Sequence, residues 1–191
     1  MAKLYFYYST MNAGKTTVLL QSAHNYRERG MRPLLLTPAL DDRAGRGVIR
    51  SRVGLQAEAL VFEGGDDLLT LSRAEHARDP VACVLVDEAQ FLSPAQVDDL
   101  FIVAVQVNIP VIAYGIRTDF QTAAFPGSRR LLEIAHSVEE LKTICRCGRK
   151  AVFNARRVDD TFIFDGDQVA IDGVDVSYES LCGECYLRES G

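Results

Sequence analysis

No stretch of this 191-residue chain approaches the roughly eighteen consecutive apolar residues that a membrane-crossing helix needs, which excludes a helical span. Nor is there an excess of basic residues: 21 Lys and Arg stand against 26 Asp and Glu, a formal net charge of −5. Affinity for nucleic acid rests mainly on neutralising phosphates, so this balance argues against a general nucleic-acid binder. It leaves room for a small anion held in one basic pocket. The first residues lack the basic segment and the small-residue cleavage site of a secretory leader, so a cytoplasmic protein is expected. Histidine is scarce, and His24, His76 and His136 have no partner at metal-ligand spacing. No internal repeat or low-complexity segment is visible. Five cysteines in a reducing compartment suggest metal ligands or free thiols rather than disulfides. The chain exceeds an average domain of about 150 residues but is short for two, and it is apolar enough to bury a real core.

What is present begins at the N-terminus. The apolar run Leu4 to Tyr8 leads into Ser9-Thr10-Met11-Asn12-Ala13-Gly14-Lys15-Thr16, and an amphipathic stretch follows to Arg29. A strand, a tight loop ending Gly-Lys-Thr and a helix form the phosphate-cradling loop of nucleotide-binding enzymes. Loop and first-turn N–H groups point at phosphate oxygens, and the positive end of the helix adds to this. Lys15 is placed to reach the β- and γ-phosphates, and the Thr16 hydroxyl to sit on magnesium. Ser9 departs from the pattern, which has glycine there. A chance Gly-Lys-Thr at a helix start is the bland alternative, and the flanking strand and helix oppose it.

Short apolar runs then alternate with helical stretches. Leu4–Tyr8, Leu34–Leu36, Val81–Val86 and Val111–Tyr114 suit strands buried on both faces of a parallel sheet. Helices are predicted over Thr16–Arg29 and about residues 67–77, 94–107 and 128–134. Ser93, Pro94 and Gln96 read as a capping box with proline at the first helical position. An α/β layered domain with right-handed crossovers follows. Residues 40–56 are polar and basic, either a mobile loop beside the phosphates or a plain solvated one.

Val81–Val86 runs into Asp87-Glu88-Ala89-Gln90. Downstream of a phosphate loop, Asp87 reads as the magnesium-side carboxylate, and Glu88 as a carboxylate able to take the proton of an attacking hydroxyl. Two ordinary surface acids in a turn are the alternative. The same letters occur in the helicase acidic box, but a net acidic chain of this length supplies neither a second domain nor a basic strand-tracking groove. Cys145 and Cys147 form one pair and Cys182 and Cys185 another. Four thiolates brought together suit tetrahedral zinc, and leave no open position for catalysis. Four reduced, buried cysteines are the alternative. Cys83, inside an apolar run, reads as a small core residue.

These features together resemble the zinc-containing, type II thymidine kinases, with the enterobacterial form as the nearest likeness. The carriers run in order along nearly the whole chain: Tyr5 to Ser9, Met11 to Lys15, Leu40-Asp41-Asp42-Arg43, Val84 to Glu88, Tyr114 to Phe120, and Leu141 to Cys145. The resemblance implies a P-loop NTPase-type, RecA-like sheet over residues 1–143 and a zinc-binding lobe over 144–191. It implies transfer of the γ-phosphoryl group of ATP, with magnesium, to the 5′-hydroxyl of thymidine or deoxyuridine, giving dTMP in pyrimidine salvage for DNA synthesis.

By the same resemblance Ser9 to Thr16 and Asp87 to Gln90 bind ATP and its magnesium, and Glu88 is the general base. Phe120 packs on thymine, and Val169, Ala170, Ile171, Asp172 and Gly173 with Tyr178 fold over the nucleoside. The family's Gly-Gly before that tyrosine is here Asp172-Gly173, one residue further away. Arg43 is expected to contact a phosphate. A homotetramer inhibited by dTTP is implied, with no nucleic-acid or membrane partner. Competing readings are a kinase for another nucleoside, a nucleotide-dependent switch whose zinc lobe docks a partner, and a zinc-ribbon nucleic-acid binder.

Overall fold

The structure is a computed structural model that describes residues 1–41, 43–169 and 176–191. In chain order it runs β1 (Leu4–Ser9), α1 (Lys15–Glu28), β2 (Arg32–Pro38), β3 (Val48–Arg50), β4 (Gln56–Glu58), β5 (Leu60–Phe62), α2 (Leu68–Arg78) and β6 (Val81–Val86). It continues through α3 (Pro94–Ile102), β7 (Val111–Ile116), α4 (Pro126–Ile134), β8 (Ser137–Glu140), β9 (Thr143–Ile144), β10 (Lys150–Ala151), β11 (Phe153–Val158), β12 (Thr161–Ile163), β13 (Val176–Leu181) and α5 (Gly183–Ser190).

Six strands form one parallel sheet in the order β5-β2-β6-β7-β1-β8. The architecture is α/β and P-loop NTPase-like, with the strand before the Gly-Lys-Thr loop separated from the strand before Asp87 by β7 alone. The four apolar runs become β1, β2, β6 and β7. Successive residues of a strand face opposite sides, and here each side has its own core. Leu34, Leu36, Val84, Val86, Val111 and Ala113 join Leu68, Val97, Leu100 and Leu131 of α2, α3 and α4. Leu35, Cys83, Leu85 and Tyr114 join Leu19, Leu20 and Ala23 of α1 on the other side. Burying one such leucine contributes about 1.5–3 kcal/mol, so the two faces together dominate the stability of this part. Cys83 is the small core residue expected.

The capping box is present: Ser93 Oγ accepts from Gln96 N–H at 3.2 Å, and Gln96 Oε1 accepts from Ser93 N–H at 3.0 Å. Beyond Ile102 the predicted helix widens into a π-helical stretch, Val103–Val107, that ends at Asn108 in the left-handed region. The segment 40–56, expected as a loop, holds β3 and the start of β4, which pair antiparallel. Ile49 is buried with Leu35 and Leu85, and this apolar anchor is what the polar composition concealed.

Two of the three histidines hold backbone N–H groups, and the third is exposed. His24 lies 3.3 Å from Glu28, His76 Nδ1 accepts from Val81 N–H, and His136 Nδ1 accepts from Leu4 N–H. The remaining strands form a hairpin, β9–β10, and a separate antiparallel sheet in the order β12-β11-β13. A small core of Cys145, Ala151, Ala155, Leu181, Cys182, Cys185 and Tyr186 lies there. Among the described residues no helix is long and apolar enough to cross a membrane.

Candidate active site

A cleft of about 760 Å³ opens at the carboxyl ends of β1 and β6. It is lined by the β1–α1 loop from Met11 to Thr16, by Asp87, Glu88 and Gln90, and by Phe120, Val169 and Tyr178. Ligands of open α/β sheets gather at such an edge. Ser9 and Thr10, the first two loop positions, lie buried behind it. Ala170, Ile171, Asp172 and Gly173 of the expected nucleoside lid lie outside the described residues, as does Asp42 of the Leu40-Asp41-Asp42-Arg43 block.

The loop explains its own serine. Left-handed backbone falls at Asn12 (φ 65) and Gly14 (φ 80), and Ser9 has no positive φ. Serine therefore costs nothing there, and its hydroxyl helps shape the loop. Ser9 Oγ donates to Thr10 C=O at 2.7 Å and accepts from Lys15 Nζ at 3.0 Å. Lys15 Nζ also donates to Thr10 C=O at 2.9 Å. The ammonium is nearly buried, which pulls its pKa down, and Glu88 and Asp87 partly offset this. Gly14 caps α1, whose first-turn N–H groups have no acidic side chain near them in the helix itself. That arrangement is a ready anion site.

Asp87 directly follows β6 and is buried. Thr16 Oγ1 donates to its Oδ2 at 3.2 Å. Burial, and then the neighbouring Glu88, raise the Asp87 carboxyl well above the usual carboxylate range, while the Thr16 hydroxyl acts the other way. A buried carboxylate and a hydroxyl in contact are hard oxygen donors that a cation would relieve, so the pair fits magnesium.

Glu88 has left-handed backbone (φ 46, ψ 44), a conformation costing about 1–3 kcal/mol in a non-glycine residue and found at functional sites. Two contacts aim its side chain: Gln90 Nε2 donates to Oε2 at 2.6 Å, and Arg43 donates to Oε1 at 2.8 Å. Arg43 also grips Asp41 through Nε at 2.6 Å, and these two acids, Asp41 first, raise the guanidinium's pKa against the effect of burial. Gln90 is fixed in turn by Ile116 N–H, which donates to its Oε1. A Cβ on Gly115 would meet that Oε1 at 2.9 Å and the Gln90 backbone nitrogen at 3.1 Å, so glycine lets the Asp87–Gln90 turn sit close against β7.

Phe120 is fully buried at the cleft wall, in a turn organised by Asp119, which accepts from Gln121 N–H, Ala123 N–H and Gln168 Nε2. The Arg156 guanidinium lies 3.7 Å from the Phe120 ring centroid and 5.6 Å from that of Tyr178. Its Nε donates to the Tyr178 hydroxyl at 3.1 Å. Sequence reasoning passed over Arg156, Asn154 and Gln168. The signal was the repeat by two along β11, where Asn154 and Arg156 face the same way as Tyr178 and Ser180 of β13.

The four cysteines converge. Their Sγ atoms all lie within 4.8 Å of one another, and Cys147 Sγ is 3.5 Å from Cys182 Sγ. Four thiolates on one tetrahedral ion with Zn–S near 2.3 Å would stand about 3.8 Å apart, so the cluster fits zinc. Cys145 and Cys147 sit on the turn between β9 and β10, where Gly148 takes φ 85, and Cys182 caps α5 with Cys185 in its first turn. Backbone donation from Cys185, against burial, lowers the Cys182 thiol, whereas burial and the neighbouring sulphurs push Cys185 up.

A family model described as thymidine kinase matches residues 2–186. The thymidine kinase of Ruegeria pomeroyi is 53% identical over 192 residues, covering 100% of this chain and 96% of that protein. That of Vibrio cholerae serotype O1 is 52% identical with both chains covered in full, and that of Rhodopirellula baltica 54% identical over 95% of this chain and 86% of its own length.

Proposed function

This chain belongs to the thymidine kinase family, and from that premise we propose that it transfers the γ-phosphoryl group of ATP to the 5′-hydroxyl of thymidine or deoxyuridine, giving dTMP or dUMP. Thymidine phosphorylation in nucleoside salvage is the family's activity, and the protein is an enzyme of that kind. The observation that carries the finer reading is the single cleft in which Lys15, Thr16 and Asp87 stand beside Glu88, Phe120 and Tyr178.

The α1 N-terminus and the loop amides bind the triphosphate, and Lys15 leaves Ser9 and Thr10 for the β- and γ-oxygens. Thr16 and Asp87 are the residues that would hold magnesium, which when bound neutralises phosphate charge. Phosphoryl transfer needs mostly positioning and charge stabilisation. Glu88, aimed by Gln90 and Arg43, accepts the proton of the 5′-hydroxyl as that oxygen attacks. Phe120 and Tyr178, with Val169 at the same cleft, face the nucleobase and select a single pyrimidine ring over a purine.

Residues 144–191 act as a zinc-stapled lobe beside the nucleotide-binding part, residues 1–143, with Cys145, Cys147, Cys182 and Cys185 holding the ion. Below about 70–80 residues a core rarely suffices alone, which is the reason for a staple. The same reading extends to a homotetramer in the cytoplasm with dTTP as an end-product inhibitor. Transfer from labelled ATP, run in parallel on thymidine, deoxyuridine, deoxycytidine and deoxyadenosine, tests it. Product on the first two only is expected, and equal turnover on deoxycytidine or deoxyadenosine would refute the assignment.

A further inference from the structure

Strands β11 and β13 pair antiparallel with Asn154 opposite Ser180 and Arg156 opposite Tyr178. Residues two apart share a face of a strand, so these four side chains form two adjacent rows on one face. The Asn154–Ser180 row holds the β1–α1 loop. Asn154 Oδ1 accepts from Met11 N–H at 2.7 Å, and Ser180 Oγ donates to Met11 C=O at 2.6 Å. Asn12, the residue with left-handed backbone, donates from Nδ2 to the Tyr178 carbonyl at 3.2 Å. The Arg156–Tyr178 row holds the aromatic wall, through the guanidinium on Phe120 and the Nε bond to the Tyr178 hydroxyl. Asn154 reaches that wall too, donating from Nδ2 to Thr118 C=O at 2.9 Å, two residues before Phe120. Asn154 is 3% exposed and Arg156 5%, so both are shielded from water that would otherwise compete for these bonds.

The Met11 residue is thus gripped through both its N–H and its C=O by side chains of a sheet 143 and 169 residues further along the chain. Its N–H is committed to Asn154 and is not a donor left over for a phosphate. From the other side the loop is held by Lys15. When a triphosphate draws Lys15 away from Ser9 and Thr10, the grip from β11 and β13 remains, with the Ser9–Thr10 bond, to hold the loop's shape.

We propose that Asn154 and Ser180 are positioning residues that set the phosphate loop against the nucleoside wall, so that ATP and nucleoside binding are coupled through this one face of the β11–β13 sheet. This rests on the assignment of the loop to ATP and of Phe120 and Tyr178 to the nucleoside. A nucleoside that fixes the Arg156–Tyr178 row also fixes the adjacent row, and the ordering it costs is not repeated when the triphosphate binds. Linkage makes the effect reciprocal.

The test uses the full-length, zinc-loaded protein and a non-hydrolysable ATP analogue with magnesium. Its Kd is measured by calorimetry with and without saturating thymidine, and that of thymidine with and without the analogue. Wild type is expected to show mutual tightening of about 5-fold or more, the lower end of usual coupling. Ser180→Ala and Asn154→Ala should each bring the ratio close to one while zinc content stays at the wild-type level, and Ser180→Thr, which keeps the hydroxyl, should restore it. A merely structural role would weaken both ligands and lower the Tm with the ratio unchanged. That result, or a wild-type ratio of one in an enzyme that does phosphorylate thymidine, overturns the proposal. Absence of transfer to thymidine in wild type would overturn the assigned function, and the proposal with it.

Discussion

The six-stranded sheet and the cysteine-bearing C-terminal region solve the same problem with different means. The first buries strands on both faces, with Leu35 and Leu85 against α1 and Leu34, Val84 and Val86 against α2, α3 and α4. Among the described residues, the second has a buried core of seven, three of them cysteines, and leaves Cys147 exposed. Around it stand surface ion pairs, each with at least one exposed partner: Arg146 with Glu189, Arg149 with Glu184 and Lys150 with Glu140. Exposed pairs contribute about 0–1 kcal/mol each. The first part is held by apolar area, and the second has less of it beside four sulphurs placed to share a metal ion. Yet the second carries Tyr178, which lines the cleft, and Arg156, which lies on Phe120.

The largest expected effect breaks the comparison at the cysteines. Replacing Cys145 and Cys182 by serine, or stripping metal with a chelator, should release one zinc per chain and abolish thymidine transfer. Amide exchange should then become fast across β9 to α5 and stay slow in β6 and β7. Uniform loss of protection across both parts would show that they do not differ in the way described.

Next comes Glu88→Gln, which should lower kcat by about 10²–10⁴-fold, the usual range for a general base, with thymidine binding and Tm nearly unchanged. Near-normal turnover removes Glu88 from that role. Third, Leu85→Ala, in the core beneath α1, should cost about 2–5 kcal/mol of stability in urea melts whether or not metal is bound. A cost that appears only in the metal-free protein would mean the two parts share one tie. The smallest effect is Ser93→Ala, which removes the α3 cap and should cost about 1 kcal/mol with zinc content and kcat intact.

How much of this could be read from the sequence follows the range of the interactions. The central strands announced themselves because each is an unbroken apolar run, and α3 because its cap is local. β8 did not: Ser137–Glu140 contains one apolar residue, and only pairing with Tyr5 to Tyr8 makes it a strand. β5 is three residues long and sits at the other edge. The site divides likewise. The loop from Ser9 to Thr16, the turn from Asp87 to Gln90 and the cysteine pairs are contiguous, so their chemistry is spelled out in order. Arg156 and Asn154 act on Phe120 and Met11 from far along the chain, and an arginine in a basic stretch looks like surface charge until the strands pair.

The account turns on the donor and acceptor meeting at Glu88. A crystal structure of the protein with thymidine, magnesium and a non-hydrolysable ATP analogue measures this directly. The Glu88 carboxylate is expected within about 2.6–3.2 Å of the thymidine 5′-oxygen, with that oxygen facing the γ-phosphorus held by Lys15. A ternary complex with thymidine seated elsewhere, or with Glu88 still locked to Arg43 and out of reach of the 5′-oxygen, would contradict it.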